Sequence, residues 1–307
     1  MSRKFRNEQL KLKQLNAEVQ EELDRVKLQR EKIFAPIIWK DIPAQGLQIQ
    51  DLKVPMFEES MKLIEKHFLD EDLLCRNANL SKDPVSVKSF LSIVHFNLKY
   101  RQSIALVDVE NKKIVGVLIL KTVQKNDCGR VFDRVQMIEG DAFREVSRFL
   151  GQVTRKLDIY EYFNIDTYLE YVLLCIKKNH RHRGLGYQLM ECGLSVARAQ
   201  QCPIVSGIFV THKLQKRAEK LGMKILYKLS YLDWKDEDGE MIFPEPGAGN
   251  YYCAMMGGEV PPPLPPPPPP KEEVVVVEEK KLTRVERLAQ MDKDKSKSQR
   301  RTSLLNP

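Results

Sequence analysis

A strand running straight into a basic, glycine-containing turn and then a helix restricts the fold of this chain more than any other feature. The run YLEYVLLCI, residues 168–176, is apolar apart from Glu170, as expected of a strand covered on both faces. Residues 177–189 then read K-K-N-H-R-H-R-G-L-G-Y-Q-L, and GLGYQLMECGLSVARAQQ continues with helical periodicity. A helix N-terminus carries N–H groups without partners and a partial positive charge. Glycines let an anion approach that backbone, and Arg181 and Arg183 add charged donors. The unit therefore predicts an anion site opening a helix. Two known phosphate motifs do not fit it. A dinucleotide fingerprint needs a third glycine where Leu189 stands, and a P-loop needs Gly-Lys-Ser/Thr.

Similar signals continue on both sides. GLQIQDLKV and SIALVDVE read as strands, and ENKK turns the second into KIVGVLILKTV as a hairpin. MFEESMKLIEKHFLDEDLL, DPVSVKSFLSIVHFNLKY and FREVSRFLGQVTRKLDIYEYF each read as one helix. After the central unit come the strand PIVSGIFV, the helix THKLQKRAEKLGM, and the strands KILYKLSYLDW and NYYCAMM. The mixture predicts one α/β domain over 37–257, a mixed central sheet flanked by helices.

The flanks differ in composition. In residues 1–36, Phe5, Leu12, Val19, Val26 and Ile33 recur every seven residues, predicting a charged helix. Its companion stripe fails at Glu22 and Gln29, so a coiled coil and a helix lying on its own domain are both open. Residues 258–307 carry PPPLPPPPPP at 261–270 and continue as a charged tail, which predicts a polyproline rod followed by disorder. Such a rod is either a spacer or a ligand for EVH1, profilin, SH3 or WW domains.

The net charge of +8 is not concentrated. There are nine Lys/Arg against six Asp/Glu in 1–36, and ten against eight in 258–307. That spread argues against a nucleic-acid binder. No apolar run is long enough to span a membrane, and the charged start MSRKFRNEQL has no apolar signal core. The six cysteines show neither CxxC pairs nor metal spacing, which predicts reduced thiols, a cytoplasmic protein and no metal centre.

R-H-R-G-L-G resembles the R/Q-x-x-G-x-G/A acetyl-CoA motif of the GNAT acetyltransferase superfamily, and the order of elements over 45–257 matches that fold. Within it, F-L-D-E-D-L, the stretch C-I-K-K-N-H-R-H-R-G-L-G-Y-Q-L and R-A-E-K-L-G-M resemble the insect arylalkylamine N-acetyltransferase-like group. The resemblance implies acetyl-CoA as cofactor. Its pyrophosphate would sit on Arg181, His182, Arg183, Gly184, Leu185 and Gly186, and its pantetheine on the splayed strand end at Leu174, Cys175 and Ile176. It further implies a small arylalkylamine-like acceptor.

Acyl transfer to an amine needs a base, a polarised carbonyl and a proton for the departing thiolate. Glu71 is the candidate base: it lies between Asp70 and Asp72, like charges that would raise its pKa, and the resemblance points to the same residue. Backbone N–H groups near Cys175 and Ile176 are candidates to polarise the carbonyl. For the acid the match departs from the group. Its two serines fall on Thr211 and Leu214, and the helix has no tyrosine, which leaves Thr211, His212, water or no acid. The competing reading is a binding or scaffold protein that keeps the GNAT body and acts through its tails. A protein-lysine or N-terminal acetyltransferase would share the fold.

Overall fold

Five residues, Ile38–Ile42, open the sheet as strand β1, which turns through Pro43–Gln45 and Gly46 into β2 (Leu47–Asp51). Gly46 makes that turn with φ +65°, in the left-handed region. The computed structural model describes residues 35–127 and 138–262, with Val19, Gln20 and Arg25, all three helical, from the N-terminal segment. The rest of the segment expected to form a heptad helix, and the tail from 263 with its expected role as a spacer or polyproline ligand, lie outside the described residues.

Helices α1 (Phe57–His67), α2 (Leu73–Asn77) and α3 (Pro84–Leu98) lead into the hairpin of β3 (Ile104–Asp108) and β4 (Lys113–Gln124). Helices α4 (Asp141–Arg155) and α5 (Ile159–Phe163) precede β5 (Thr167–Ile176). Then follow α6 (Leu185–Ala199), β6 (Ile204–Phe209), α7 (His212–Lys220), β7 (Lys224–Ser230) and β8 (Tyr252–Glu259). Among the described residues these strands form one eight-stranded sheet in the order β1-β2-β3-β4-β5-β6-β8-β7. Only β5 and β6 are parallel neighbours; the other pairs are antiparallel. The mixed sheet expected from the sequence is therefore present. None of the described helices is long and apolar enough to cross a membrane.

Three expectations are corrected. The helix expected across MFEESMKLIEKHFLDEDLL is two: α1 stops at His67, and α2 restarts where the Asp72 carboxylate accepts from the N–H groups of Leu74 and Cys75. FREVSRFLGQVTRKLDIYEYF divides in the same way, because Asp158 caps α5. The last strand also outruns its expected end at Met256: β8 continues to Glu259, and Val260 N–H donates to the Pro203 carbonyl.

Alternation along the strands builds a core on each face of the sheet. On β3, Ala105 and Val107 join the cluster covered by α1–α5, whereas Ile104 and Leu106 join the one covered by α6 and α7. On the first face Phe149, Tyr231, Trp234 and Phe243 pack ring against ring. This anchors the long connection between β7 and β8. Its far end is tied to α2, where Arg76 and Asn77 donate to the Glu245 carbonyl. On the other face, Tyr171 packs against Gly193 of α6 and its hydroxyl donates to the Met190 carbonyl at 2.8 Å. A Cβ on Gly193 would fall 2.2 Å from the tyrosine ring, so glycine sets how closely α6 approaches the sheet.

Candidate functional site

The site begins with an extra residue in β5. Ile119 of β4 faces Leu173, but the next residue, Leu120, faces Tyr171, which leaves Val172 unmatched as a bulge. Side chains change faces across it: Leu169 and Tyr171 pack under α6, whereas Leu173 and Cys175 pack under α1. Pairing with β6 stops at the same place, since only Leu169, Glu170 and Tyr171 have partners there, in Val205, Ser206 and Gly207. Beyond the bulge β5 has lost its neighbour on that side. Lys177 N–H donates to Val115 O, so residues 173, 175 and 177 present their backbone groups to β4. Leu174 and Ile176 present theirs to the gap. This corrects the expectation for Cys175, whose N–H belongs to the β4 ladder. Its thiol is buried beside the Leu63 carbonyl, and burial pushes it up to about 12, which disfavours the thiolate.

The basic turn follows. His182 adopts φ +65°, and Gly184 adopts φ +78°, ψ −8° as the residue preceding α6. No side chain caps this helix. The first-turn N–H groups of Leu185 and Gly186 therefore face the turn, as an anion site requires.

These elements enclose a cleft of about 300 Å³. Of the residues singled out in the sequence, Leu174, Cys175, Ile176, Arg181, His182, Gly184, Leu185, Gly186, Glu71 and Thr211 line it. Two do not. Arg183 is an exposed side chain outside the lining. His212 is exposed and its backbone N–H donates to Asn250 Oδ1 at 2.9 Å, so it is not positioned to serve as an acid. Thr211 begins α7, accepting from Leu214 N–H at 3.4 Å, and keeps its own hydroxyl proton available. Leu214, where the resemblance calls for a hydroxyl, also lines the cleft.

Glu71 lies in the turn between α1 and α2, and its charged neighbours differ from those expected. Instead of facing Asp70 and Asp72, its carboxylate stands 3.0 Å from Arg181 Nη1 and 3.4 Å from Lys178 Nζ. Asp72 is withdrawn into the cap of α2, where burial raises its carboxyl above the ordinary value against the opposing pull of the two N–H groups. His67 and His180 also line the cleft; burial and then nearby cations lower both imidazoles, which favours their neutral forms.

The sequence reading missed Asp72, His67, His180, Lys213 and Arg217. Asp72 carried a signal, as an N-cap residue before L-L-C-R. Lys213 and Arg217 carried one too, four residues apart on THKLQKRAEKLG and so on one helix face.

The mixed sheet, splayed beside a central bulged strand, is the arrangement of a GNAT-like fold, and solved structures have a similar overall fold. The putative arylalkylamine N-acetyltransferase 7 of the yellow fever mosquito, Aedes aegypti, superposes with a TM-score of 0.62 at 21% identity, over 74% of this chain and 96% of that one. Arylalkylamine N-acetyltransferase 2 of Aedes aegypti gives 0.65 at 18% identity, over 70% and 100%. A Drosophila melanogaster polyamine N-acetyltransferase, which forms N-acetylagmatine, gives 0.59 at 16% identity, over 69% and 99%. No family model matches the chain, and no curated protein matches its sequence.

Proposed function

We propose that this chain is an N-acetyltransferase that moves the acetyl group of acetyl-CoA onto the amine of a small, arylalkylamine-like acceptor. The observation that carries this reading is a single cleft that brings together an uncapped helix start, an unpaired strand edge and a carboxylate. The names of the structural neighbours support an amine as acceptor.

The residues fit acetyl-CoA. The N–H groups of Leu185 and Gly186 would hold its diphosphate, and the free edge at Leu174 and the Ile176 N–H would pair with its amide-bearing arm, the Ile176 carbonyl being held by Arg181. When bound it supplies an activated acetyl thioester. An N–H of the same edge lies in the cleft to stabilise charge developing on the carbonyl oxygen. Glu71 takes the proton of the acceptor ammonium, directly or through a water. The C–N bond forms as the C–S bond breaks, and the Thr211 hydroxyl, which lines the same cleft, would relay the proton released by the new amide nitrogen to the departing sulfur. Holding the reactants together in a shaped cleft contributes much of the rate.

The test is release of free CoA by the full chain with acetyl-CoA and tryptamine, phenethylamine or agmatine. Turnover is expected with at least one amine, and Glu71→Gln should lower it about 100-fold without unfolding the protein. One observation favours a second reading, a binding protein on the same fold: Leu214 stands where the resemblance calls for a serine. Tight acetyl-CoA binding with no amine acetylated is the result that selects it.

A further inference from the structure

We infer that the cation receiving the phosphates of acetyl-CoA is Arg217 of α7, with Lys213 beside it, and that Arg181 at the head of the R-x-x-G-x-G motif is a structural tie. This inference rests on the acetyl-CoA reading above.

Each nitrogen of the Arg181 guanidinium already has a protein partner. Nε donates to the Ile176 carbonyl at 2.8 Å, Nη2 to the His67 carbonyl at 2.5 Å, and Nη1 meets Glu71 at 3.0 Å. It thereby joins the end of β5 to the end of α1. These three contacts fix the guanidinium in place, so reorienting it toward a phosphate on α6 would break contacts that shape the cleft.

Arg217 is the opposite case. Its Nη1 lies 2.8 Å from where a Cβ on Gly186 would stand, so its head rests on the second residue of α6. Among the described residues no carboxylate or carbonyl accepts from it, whereas its neighbour Lys216 is paired with Glu219 at 2.7 Å. Burial lowers its pKa with no compensating partner. A half-buried cation at the positive end of a helix is electrostatically unfavourable on its own. A phosphate seated on the N–H groups of α6 reverses the sign, adding charge-assisted hydrogen bonds to the helix's own attraction. Lys213, one turn earlier on the same face, reaches the turn from that side, with its Nζ 3.4 Å from His182 Nδ1. Gly186 gains a second reason to be glycine, since a side chain there would displace Arg217.

Arg217 also sits in the last turn of α7, where that helix's own dipole favours a cation. Calorimetry on the full chain with acetyl-CoA at two salt concentrations separates the two roles. Arg217→Ala is expected to raise Kd about tenfold and to flatten its salt dependence, with Arg217→Lys recovering part of the loss. Lys213→Ala should give a smaller rise. Lys216→Ala, a charge removed from the same helix outside the cleft, should change neither quantity. If Arg217→Ala melts like wild type and keeps Kd within twofold, or keeps the wild-type salt dependence, the inference is overturned. A wild-type chain that does not bind acetyl-CoA overturns both this inference and the reading beneath it.

Discussion

Arg181 and Glu71 form a 3.0 Å ion pair that links the turn after β5 to the turn after α1. It is one of three contacts made by a single guanidinium, the other two being to main-chain carbonyls. Arg181→Ala removes all three and leaves the carbonyls of Ile176 and His67 with an acceptor unfilled. The cost expected is about 2 kcal/mol, a fall of several degrees in thermal midpoint. Arg181→Lys should recover little, because an ammonium cannot span a planar, three-way contact. A midpoint unchanged in the alanine variant would contradict this role.

Asp72 makes a pH-dependent prediction. Its folded-state pKa is raised by burial, so the charged form is the less favoured one in the folded protein. The stability it contributes is fully present below its unfolded pKa and is lost as pH rises through the folded value. Asn caps a helix as well as Asp but does not ionise. Asp72→Asn should therefore gain stability relative to wild type on going from pH 4 to pH 7, read from urea midpoints. The opposite drift would show that the two N–H groups outweigh burial. Turnover gives an independent comparison. Asp72→Asn should retain far more activity than Glu71→Gln, and equal losses would move the base from Glu71 to Asp72.

Gly184 tests why the turn needs glycine. A Cβ there would meet nothing within 4 Å, so the constraint is its φ of +78° rather than crowding. Gly184→Val should cost about 1–2 kcal/mol and weaken acetyl-CoA binding as the turn relaxes. Gly184→Asn, a residue that tolerates the left-handed region, should retain most of both. Equal losses in the two variants would point to bulk rather than backbone conformation.

Much of this architecture is written in local signals. YLEYVLLCI has no polar face and forms the central strand, and Gly184 precedes the helix it was expected to open. Where the reading fell short, long-range contacts decide. β1 was missed because IWKDI is half polar and is a strand only through pairing with β2. The break after His67 was missed because apolar periodicity runs through F-L-D-E-D-L-L, and only the Asp72 cap shows where it restarts. Cys175 was assigned to the cleft edge through its backbone because the bulge at Val172, which fixes which residues face the gap, leaves no mark in the sequence. The charge environment of Glu71 was misjudged for a related reason. Its sequence neighbours are acidic, but its spatial neighbours come from a turn more than 100 residues later.

Acetyl-CoA binding tests the central claim most directly. The full chain should be melted with and without acetyl-CoA at a concentration near 100 times its Kd, taken from a titration. Binding to the folded state alone stabilises it by about 2.7 kcal/mol under those conditions, which raises the midpoint by several degrees. A concentration-dependent rise with acetyl-CoA, much reduced in Gly184→Val, is expected. A midpoint that stays fixed up to millimolar acetyl-CoA would contradict the assignment of the cleft.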